Sequence, residues 1–351
     1  STPKYADLYG YIQNWDTQNV TNMDYAFNGS SSAYPSLQNW NEDITNWNVS
    51  NVTSMELIFN RCYDFNQPIG AWNVGKLQNM KQMFRHCTTF NQPIGDWNTS
   101  IVTDMNEMFT YCTTFNQNLL TNGNKWNVSN VTNMNGMFKY CDIFNGDINN
   151  WDTSKVNAFN SMFFDAHEFN QPIGNWNTSN VTDMEAMFFS SETTNTKFNQ
   201  PIGNWDTSNV TEMKGMFARC LFNQPIGDWI VSSVTNMRSM FYDADYFTQD
   251  IRKWNLKSGV DLTYFCAKAN AFIERWKLYP GLPDNAQGDD HTIQPTPDFF
   301  YSPDQRIHTF ADKIDFDTAL TLYKTNYSDS TSTNSTPKYA DLYGYIQNWD
   351  T

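Results

Sequence analysis

A tryptophan-anchored repeat runs through most of this 351-residue chain and limits the folds that it can adopt. From Trp47 to Trp254 an anchor recurs every 24 to 29 residues. Five copies carry the same lead-in, FNQPIG, which ends two residues before a Trp. One repeat of this length cannot bury its apolar face alone, so stacked neighbours must build one continuous core. The sequence therefore predicts a solenoid rather than several separate globular domains.

Each repeat, counted from its Trp anchor, predicts a short strand followed by a helical turn. Trp and the Val or Thr at +2 share one face of the strand. Val at +5, Met at +8 and +11 and Phe at +12 share one side of a helix, and Asn at +4 is a favoured N-cap. We expect an α/β repeat, a leucine-rich-repeat-like solenoid of about ten rungs of about 25 residues. The predicted core ladder is Trp47, Trp72, Trp97, Trp126, Trp151, Trp176, Trp205 and Trp229.

A second duplication concerns the whole unit. Residues 335–351 repeat residues 1–17 letter for letter. The simplest interpretation is a longer polypeptide with copies of a unit of about 334 residues, the spacing of the two segments. The predicted organisation is a solenoid over 1–276, a Pro-rich capping and docking tail over 277–327, a Ser/Thr-rich linker over 328–336 and the start of the next copy over 335–351.

Composition argues against two classes of partner. The net charge is −15 and the pI about 4.5, whereas nucleic-acid binding needs Lys and Arg to neutralise phosphates. The same balance disfavours anionic membrane surfaces. No stretch of this segment has the length of a membrane span, so we expect no membrane insertion here.

Cysteine, histidine and acidic residues give weak signals of chemistry. Five of the six Cys share position +15 with Ala and Ser in other repeats, which indicates a small buried side chain, although a disulfide between adjacent rungs stays open. The four His do not cluster, and no hydrolase, zincin or nucleotide-binding signature is present. No cofactor is expected. Calcium is an open alternative at Asp243/Asp245/Asp250 and Asp312/Asp315/Asp317, which lack a known calcium-loop spacing.

The outward column at +1 is the main candidate ligand face. Stacked amides can bind sugars, but they can also hydrogen-bond one another along the column. The column comprises Asn48, Asn73, Asn98, Asn127, Asp152, Asn177 and Asp206. The candidate N-glycosylation sites, which follow the N-x-[ST] pattern, are Asn326, Asn334, Asn98, Asn127 and Asn177.

The run W-N-T-S-N-V-T-D-M-x-x-M-F, followed by F-N-Q-P-I-G-x-W, resembles the BspA-like leucine-rich-repeat surface proteins. These are the repeat lipoproteins and adhesins of mycoplasmas and other bacteria, with relatives in protists and algae. The resemblance covers about residues 12–265. It implies exposure on a cell surface and adhesion or matrix contact, and it carries over no catalytic residue.

We therefore expect an extracellular or cell-surface structural protein, not an enzyme. The unit would build a fibre, stalk or adhesin in tandem or head to tail, with copies of itself as partners. The alternative is a ligand-binding domain that recognises a glycan or a host or matrix protein through the +1 column. Ice binding by the Thr at +2 is disfavoured because Val interrupts that column and its direction is inward.

Overall fold

Successive repeats are joined by backbone hydrogen bonds between equivalent positions. The computed structural model describes residues 10–30, 35–276, 281–282, 295–300, 308–309 and 349–350. We call one repeat, from three residues before a Trp anchor to the same point before the next anchor, a rung. The N–H groups at +8, +10, +12 and +14 of a rung point to carbonyl oxygens at +7, +9, +11 and +13 of the next, as in Phe59 N–H to Met83 O at 3.1 Å. The contacts recur up to Asp243 N–H to Ala267 O, so ten rungs form one stack.

The segment predicted as a helical turn has a different conformation in the described rungs. The N–H groups that do not reach the next rung close tight turns within their own, as in Ile58 N–H to Met55 O and Asn60 N–H to Leu57 O. Position +10 has positive φ in every rung and position +14 in most of them, for example 56° at Leu57 and 61° at Arg61. A left-handed residue costs roughly 1–2 kcal/mol, and the bonds to the next rung offset that cost.

The predicted strand at the Trp is also not formed in the described rungs. Regular pairing lies at +7 instead, where single parallel bridges run from Asn22 to Ser54, on to Asn79, and finally to Asp261. The Trp region follows a turn, because the Trp N–H donates to the Ile carbonyl three residues earlier, as in Trp72 to Ile69 at 3.0 Å. Inter-rung pairing is therefore concentrated on one face of the stack.

Aromatic rings fill the interior. The Phe at +12 stacks on its counterpart in the next rung, with ring centroids 5.7 Å apart between Phe59 and Phe84 and again between Phe84 and Phe109. The Phe of the FNQ motif lies against it within the rung, as in Phe84 and Phe90 at 4.1 Å. The eight Trp of the predicted core ladder are at most 7% exposed. The core is thus one continuous column through the stack.

The FNQPIG segment joins rungs through its side chains. The Oδ1 of Asn66 accepts from the backbone N–H of Asn91 at 3.0 Å and from the Nε2 of Gln92 at 2.9 Å. The same contacts recur along the Asn ladder, which comprises Asn41, Asn66, Asn91, Asn116, Asn145, Asn170, Asn199 and Asn223. Gly70 is needed for close approach, because a Cβ there would lie 2.3 Å from the carbonyl oxygen of Pro93.

The C-terminal end of the stack is covered by short elements. Helix α1, Asn270–Trp276, buries Phe272, Ile273 and Trp276. A 3-10 helix, Pro297–Phe300, packs two rings against this end. The ring centroid of Phe300 lies 5.9 Å from that of Phe265 in the last rung, and the ring centroid of Phe299 lies 5.7 Å from that of Phe272. The other described elements are 3-10 helices at Ile12–Asn14, Pro35–Asn39 and Ile69–Ala71, and strands β1, His308–Thr309, and β2, Trp349–Asp350, which pair in parallel.

Candidate functional surface

The +1 column predicted as a ligand face lies at the surface and caps local turns. The Oδ1 of Asn177 accepts from the backbone N–H of Ser179 at 3.0 Å and from its hydroxyl at 2.7 Å. All seven side chains of the column bond the N–H two residues ahead. The two hydrogen bonds from Ser208, from its hydroxyl first and its N–H second, lower the pKa of Asp206. Among the described residues the column members do not hydrogen-bond one another, and the Nδ2 of Asn127 donates to the carbonyl oxygen of Gly123 at 3.3 Å.

An inserted loop crosses the middle of the +1 column. Asn122 and Lys125 form an antiparallel bridge, and Lys125 also bridges to Asn98. The Lys125 ammonium lies 2.7 Å from the carboxylate of Asp96. Asn98 and Asn127 are half-buried beside this loop, whereas Asn48, Asn73, Asp152, Asn177 and Asp206 are exposed. The loop thus divides the column into two exposed stretches.

The Asn at +4, predicted as a helix cap, joins rungs instead. The Nδ2 of Asn180 donates to the carbonyl oxygen of Ser154 at 2.6 Å, and that of Asn130 donates to Ser100 at 2.7 Å. The atom that a glycan would modify at such an Asn is therefore engaged in a contact between rungs. The candidate sites at Asn98, Asn127 and Asn177 belong to the +1 column, while Asn326 and Asn334 lie outside the described residues.

The six cysteines are free and buried. In the column at +15 the thiol donates to a Phe carbonyl oxygen of the preceding rung, as in Cys87 to Phe59 at 3.1 Å. Burial raises the pKa of Cys62 and of Cys220 to about 12. Thiols held in this way are poor nucleophiles, because the thiolate is the reactive form.

His167 and His86 contact residues that the sequence pattern did not indicate. His167 is buried, and its Nδ1 lies 2.7 Å from the Oδ1 of Asp142. Its Nε2 is buried without a hydrogen-bond partner, 3.9 Å from the Oδ1 of Asp165. Asp165 accepts hydrogen bonds from the backbone N–H and the hydroxyl of Ser191. No cluster of three metal-binding side chains occurs in the part of the chain that the structure describes.

His86 belongs to a half-buried aromatic stripe that sequence reasoning missed. The outer aromatic stripe comprises His86, Tyr111, Tyr140, Phe164 and Phe189. Its rings stack 4.3 Å apart between His86 and Tyr111 and 4.1 Å apart between Tyr111 and Tyr140. Burial, with smaller contributions from Arg85 and Arg61, lowers the pKa of His86 to about 4. The signal was an aromatic residue at +13 or +14 in successive rungs.

In the first acidic grouping, Asp243/Asp245/Asp250, two of the three carboxylates form ion pairs. Asp243 accepts from the Nε of Arg219 at 2.9 Å, and Asp250 lies 2.6 Å from the guanidinium of Arg252. Burial and the neighbouring Asp243 raise the pKa of Asp245. The second grouping, Asp312/Asp315/Asp317, lies outside the described residues. These contacts supply no argument for a bound cation.

A cavity of about 540 Å³ lies at the C-terminal end of the stack, between Val260, Asp261 and Leu262 of the last rung and Pro295 and Thr296 of the tail. It is remote in sequence from the +1 column. No helix among the described residues has the length and apolar character needed to cross a membrane.

Comparison with known proteins identifies the repeats. A family model described as "Mycoplasma protein of unknown function, DUF285" matches the chain four times, over residues 4–42, 31–122, 120–197 and 192–278. No curated protein matches the chain, and no solved structure matches it. The four successive matches confirm the tandem repeat predicted from the sequence and cover well over half of the chain. The chain therefore belongs to the DUF285 family.

Proposed function

We propose that this chain is a structural repeat unit of an extracellular fibre, stalk or surface adhesin. In this proposal the rungs form a leucine-rich-repeat-like solenoid and units assemble in tandem or head to tail. The observation that carries it is the uninterrupted stack of ten rungs, joined by equivalent backbone bonds from Met23 to Asp243. The resemblance to BspA-like surface proteins supports a location outside the cell. No catalytic role is assigned.

Three sets of contacts suit the stack to a mechanical role. Backbone bonds hold the turn segments, the Asn ladder holds the FNQ segments, and the Trp Nε1 groups hold the third side, as in Trp176 to the carbonyl oxygen of Ile148 at 3.3 Å. Each bond contributes about 1 kcal/mol net, so every interface gains several kcal/mol in addition to aromatic burial. In a repeat stack such interface terms add along the chain.

Electron microscopy of native material tests this proposal. We expect filaments or stalks with an axial period that matches one unit. Discrete, unassembled monomers, encoded by a parent gene with one copy of the unit, would contradict it. A gene that encodes several consecutive units, together with regular filaments, would support it.

A second candidate function is binding of a glycan, or of a host or matrix protein, through the +1 column. The observation that favours it is that the two amide atoms have different roles at Asn98 and Asn177. The Oδ1 caps a turn, and the Nδ2 is left to bind a ligand. Asp152 and Asp206 cap the same turn with a carboxylate. The chain itself therefore shows that Asp satisfies the structural requirement at this position.

That equivalence supplies a matched control for the binding test. Asn98→Asp and Asn177→Asp keep the turn cap and remove the amide donor, whereas the corresponding Ala variants remove both. On a glycan array, the binding hypothesis expects loss of signal with the Asp variants at unchanged thermal stability. Binding lost only with the destabilised Ala variants, or absent from the parent chain, would contradict it.

A further inference from the structure

The N-terminal end of the stack is open. Trp15 is 42% exposed, whereas Trp47, at the equivalent place in the next rung, is 7% exposed. The Trp15 ring stacks on Trp47 with centroids 6.2 Å apart. Tyr11 and Tyr25 are also more than half exposed at this end. The aromatic core is buried within the stack, but its first rung thus exposes aromatic rings to solvent.

Hydrogen-bonding groups at this end also lack partners among the described residues. The carbonyl oxygen of Ser54 accepts from Met23 and that of Glu56 accepts from Tyr25, but the equivalent carbonyls of the first rung, in Asn22 and Asp24, accept no hydrogen bond from the part of the chain that the structure describes. In later rungs the Trp Nε1 donates to the preceding rung, as Trp47 does to Ile12 O at 2.9 Å. The Nε1 of Trp15 has no such acceptor among residues 10–30 and 35–276. The end is therefore complementary to one more segment of chain.

The C-terminal end of the stack differs, because the chain covers it. Phe265 and Cys266 of the last rung are fully buried, and Phe299 and Phe300 pack against this end. A last rung covered in this way cannot stack directly on the first rung of another copy. The tail beyond the cover is therefore our candidate for the segment that joins two copies.

Strands β1 and β2 show which tail segment this is. His308 pairs with Trp349 and Thr309 pairs with Asp350, in parallel. Trp349–Asp350 belongs to the copied segment, in which it repeats Trp15–Asp16 of the first rung. The tail thus already holds a copy of the residues that lie open at the N-terminal end.

We propose that the open first rung is a docking surface for the tail of a second copy of this unit. His308–Thr309 of that copy pairs in parallel with Trp15–Asp16, in the register seen with Trp349–Asp350. The docked segment covers the Trp15 indole and brings backbone hydrogen-bonding groups to the first rung. This inference rests on the proposed assembly and specifies its junction, which consists of tail against first rung.

Cysteine cross-linking of the full chain tests the register first. Paired residues in neighbouring strands lie at a Cα separation that a disulfide can span. We expect the double variant Thr309→Cys/Asp350→Cys to form an intrachain disulfide, seen as a mobility shift on a non-reducing gel. The control His308→Cys/Asp350→Cys differs by one residue, which turns one side chain to the other face of the strand. An equal shift in both variants, or in neither, would overturn the proposal.

The second step tests docking between copies. A chain with Asp16→Cys is mixed with a chain that carries Thr309→Cys and Trp349→Gly, the latter to weaken the competing intrachain pair. We expect an intermolecular disulfide that is lost when Trp15→Ala is added to the first chain and when His308→Cys replaces Thr309→Cys in the second. A cross-link that survives either change, or none at all, would overturn the proposal.

These outcomes are separable from those for the proposed function. Filaments in native material without the register-specific cross-link would keep the fibre and place its junction elsewhere. The cross-link without filaments would keep the docking surface and remove the fibre. Asp16 is exposed, and positions 308, 309 and 350 follow the last rung in the sequence, so we expect Cys at these positions to leave the stack folded. Unfolding of each variant, monitored by circular dichroism, separates a folding defect from a lost contact.

Discussion

The indole Nε1 of Trp97 donates a hydrogen bond to the carbonyl oxygen of Ile69, 28 residues earlier in the chain, at 3.2 Å. The same relationship joins Trp72 to Ile44 and Trp229 to Ile202. Each anchor therefore both fills the core and ties its rung to the one before. Among the anchors after Trp15, Trp126 is the exception, because its Nε1 is buried without a partner, next to the inserted loop.

This exception allows the hydrogen bond to be separated from ring packing. Trp97→Phe and Trp126→Phe remove similar apolar volume, but Trp97→Phe breaks a hydrogen bond to the Ile69 carbonyl, whereas Trp126→Phe removes a buried donor that has no partner. We expect Trp97→Phe to lower the free energy of unfolding by about 1–3 kcal/mol more than Trp126→Phe. Urea denaturation of both variants measures the difference. Equal losses would show that the indole contributes through packing alone.

The Asn ladder gives a second prediction. The Oδ1 of Asn91 accepts from the N–H of Asn116 at 3.0 Å and from the Nε2 of Gln117 at 2.8 Å. Asn91→Ala should lower the free energy of unfolding by about 1–3 kcal/mol, because the Asn116 N–H loses its acceptor. Asn91→Asp keeps both acceptor contacts and should retain most of the stability. A loss with Asp as large as that with Ala would contradict the assigned role.

The inward positions of each rung could be predicted from the sequence, but the backbone that presents them could not. Met105, Met108 and Phe109 are fully buried, as their spacing indicates. That spacing also fits a helix, and nothing in the side chain of Glu107 announces a φ of 51°. The Gly at +10 in two rungs, Gly136 and Gly215, was the available signal. The conformation depends on bonds to the next rung, which no single repeat encodes.

The same limit applies to the polar columns. The outward direction of the +1 residues follows from their place beside a buried Trp, and Asn177 is exposed. Its use as a turn cap and the use of Asn180 as an inter-rung link both depend on backbone positions two residues or one rung away. Recurrence identified these residues as important, whereas their contacts required the assembled stack.

The buried cysteine thiols should react slowly with thiol reagents in the native state. With the pKa of Cys62 raised to about 12, its thiolate is scarce near neutral pH, so a thiol reagent such as DTNB should react only as the chain unfolds. The unfolded thiol, with its ordinary value of 9.0, ionises first as pH rises. The unfolded state therefore binds fewer protons above about pH 9, and this contribution to stability is lost with rising pH. Rapid labelling of the folded chain would contradict the buried placement.

The contribution of His86 to stability depends on pH in the opposite direction to that of Cys62. Its pKa is lowered from 6.5 to about 4 in the folded chain, chiefly by burial, so between these values the unfolded state binds the extra proton. The contribution of His86 to stability is present above pH 6.5 and is lost as pH falls towards 4. We expect His86→Tyr to keep the stack, since Tyr111 and Tyr140 occupy the same place in other rungs, and to weaken the dependence of unfolding on acid. Unfolding curves of parent and variant at about pH 7 and pH 5 measure the change. An NMR titration that gives His86 an ordinary pKa, or an unchanged acid dependence in the variant, would show that the ring is solvated and not stacked.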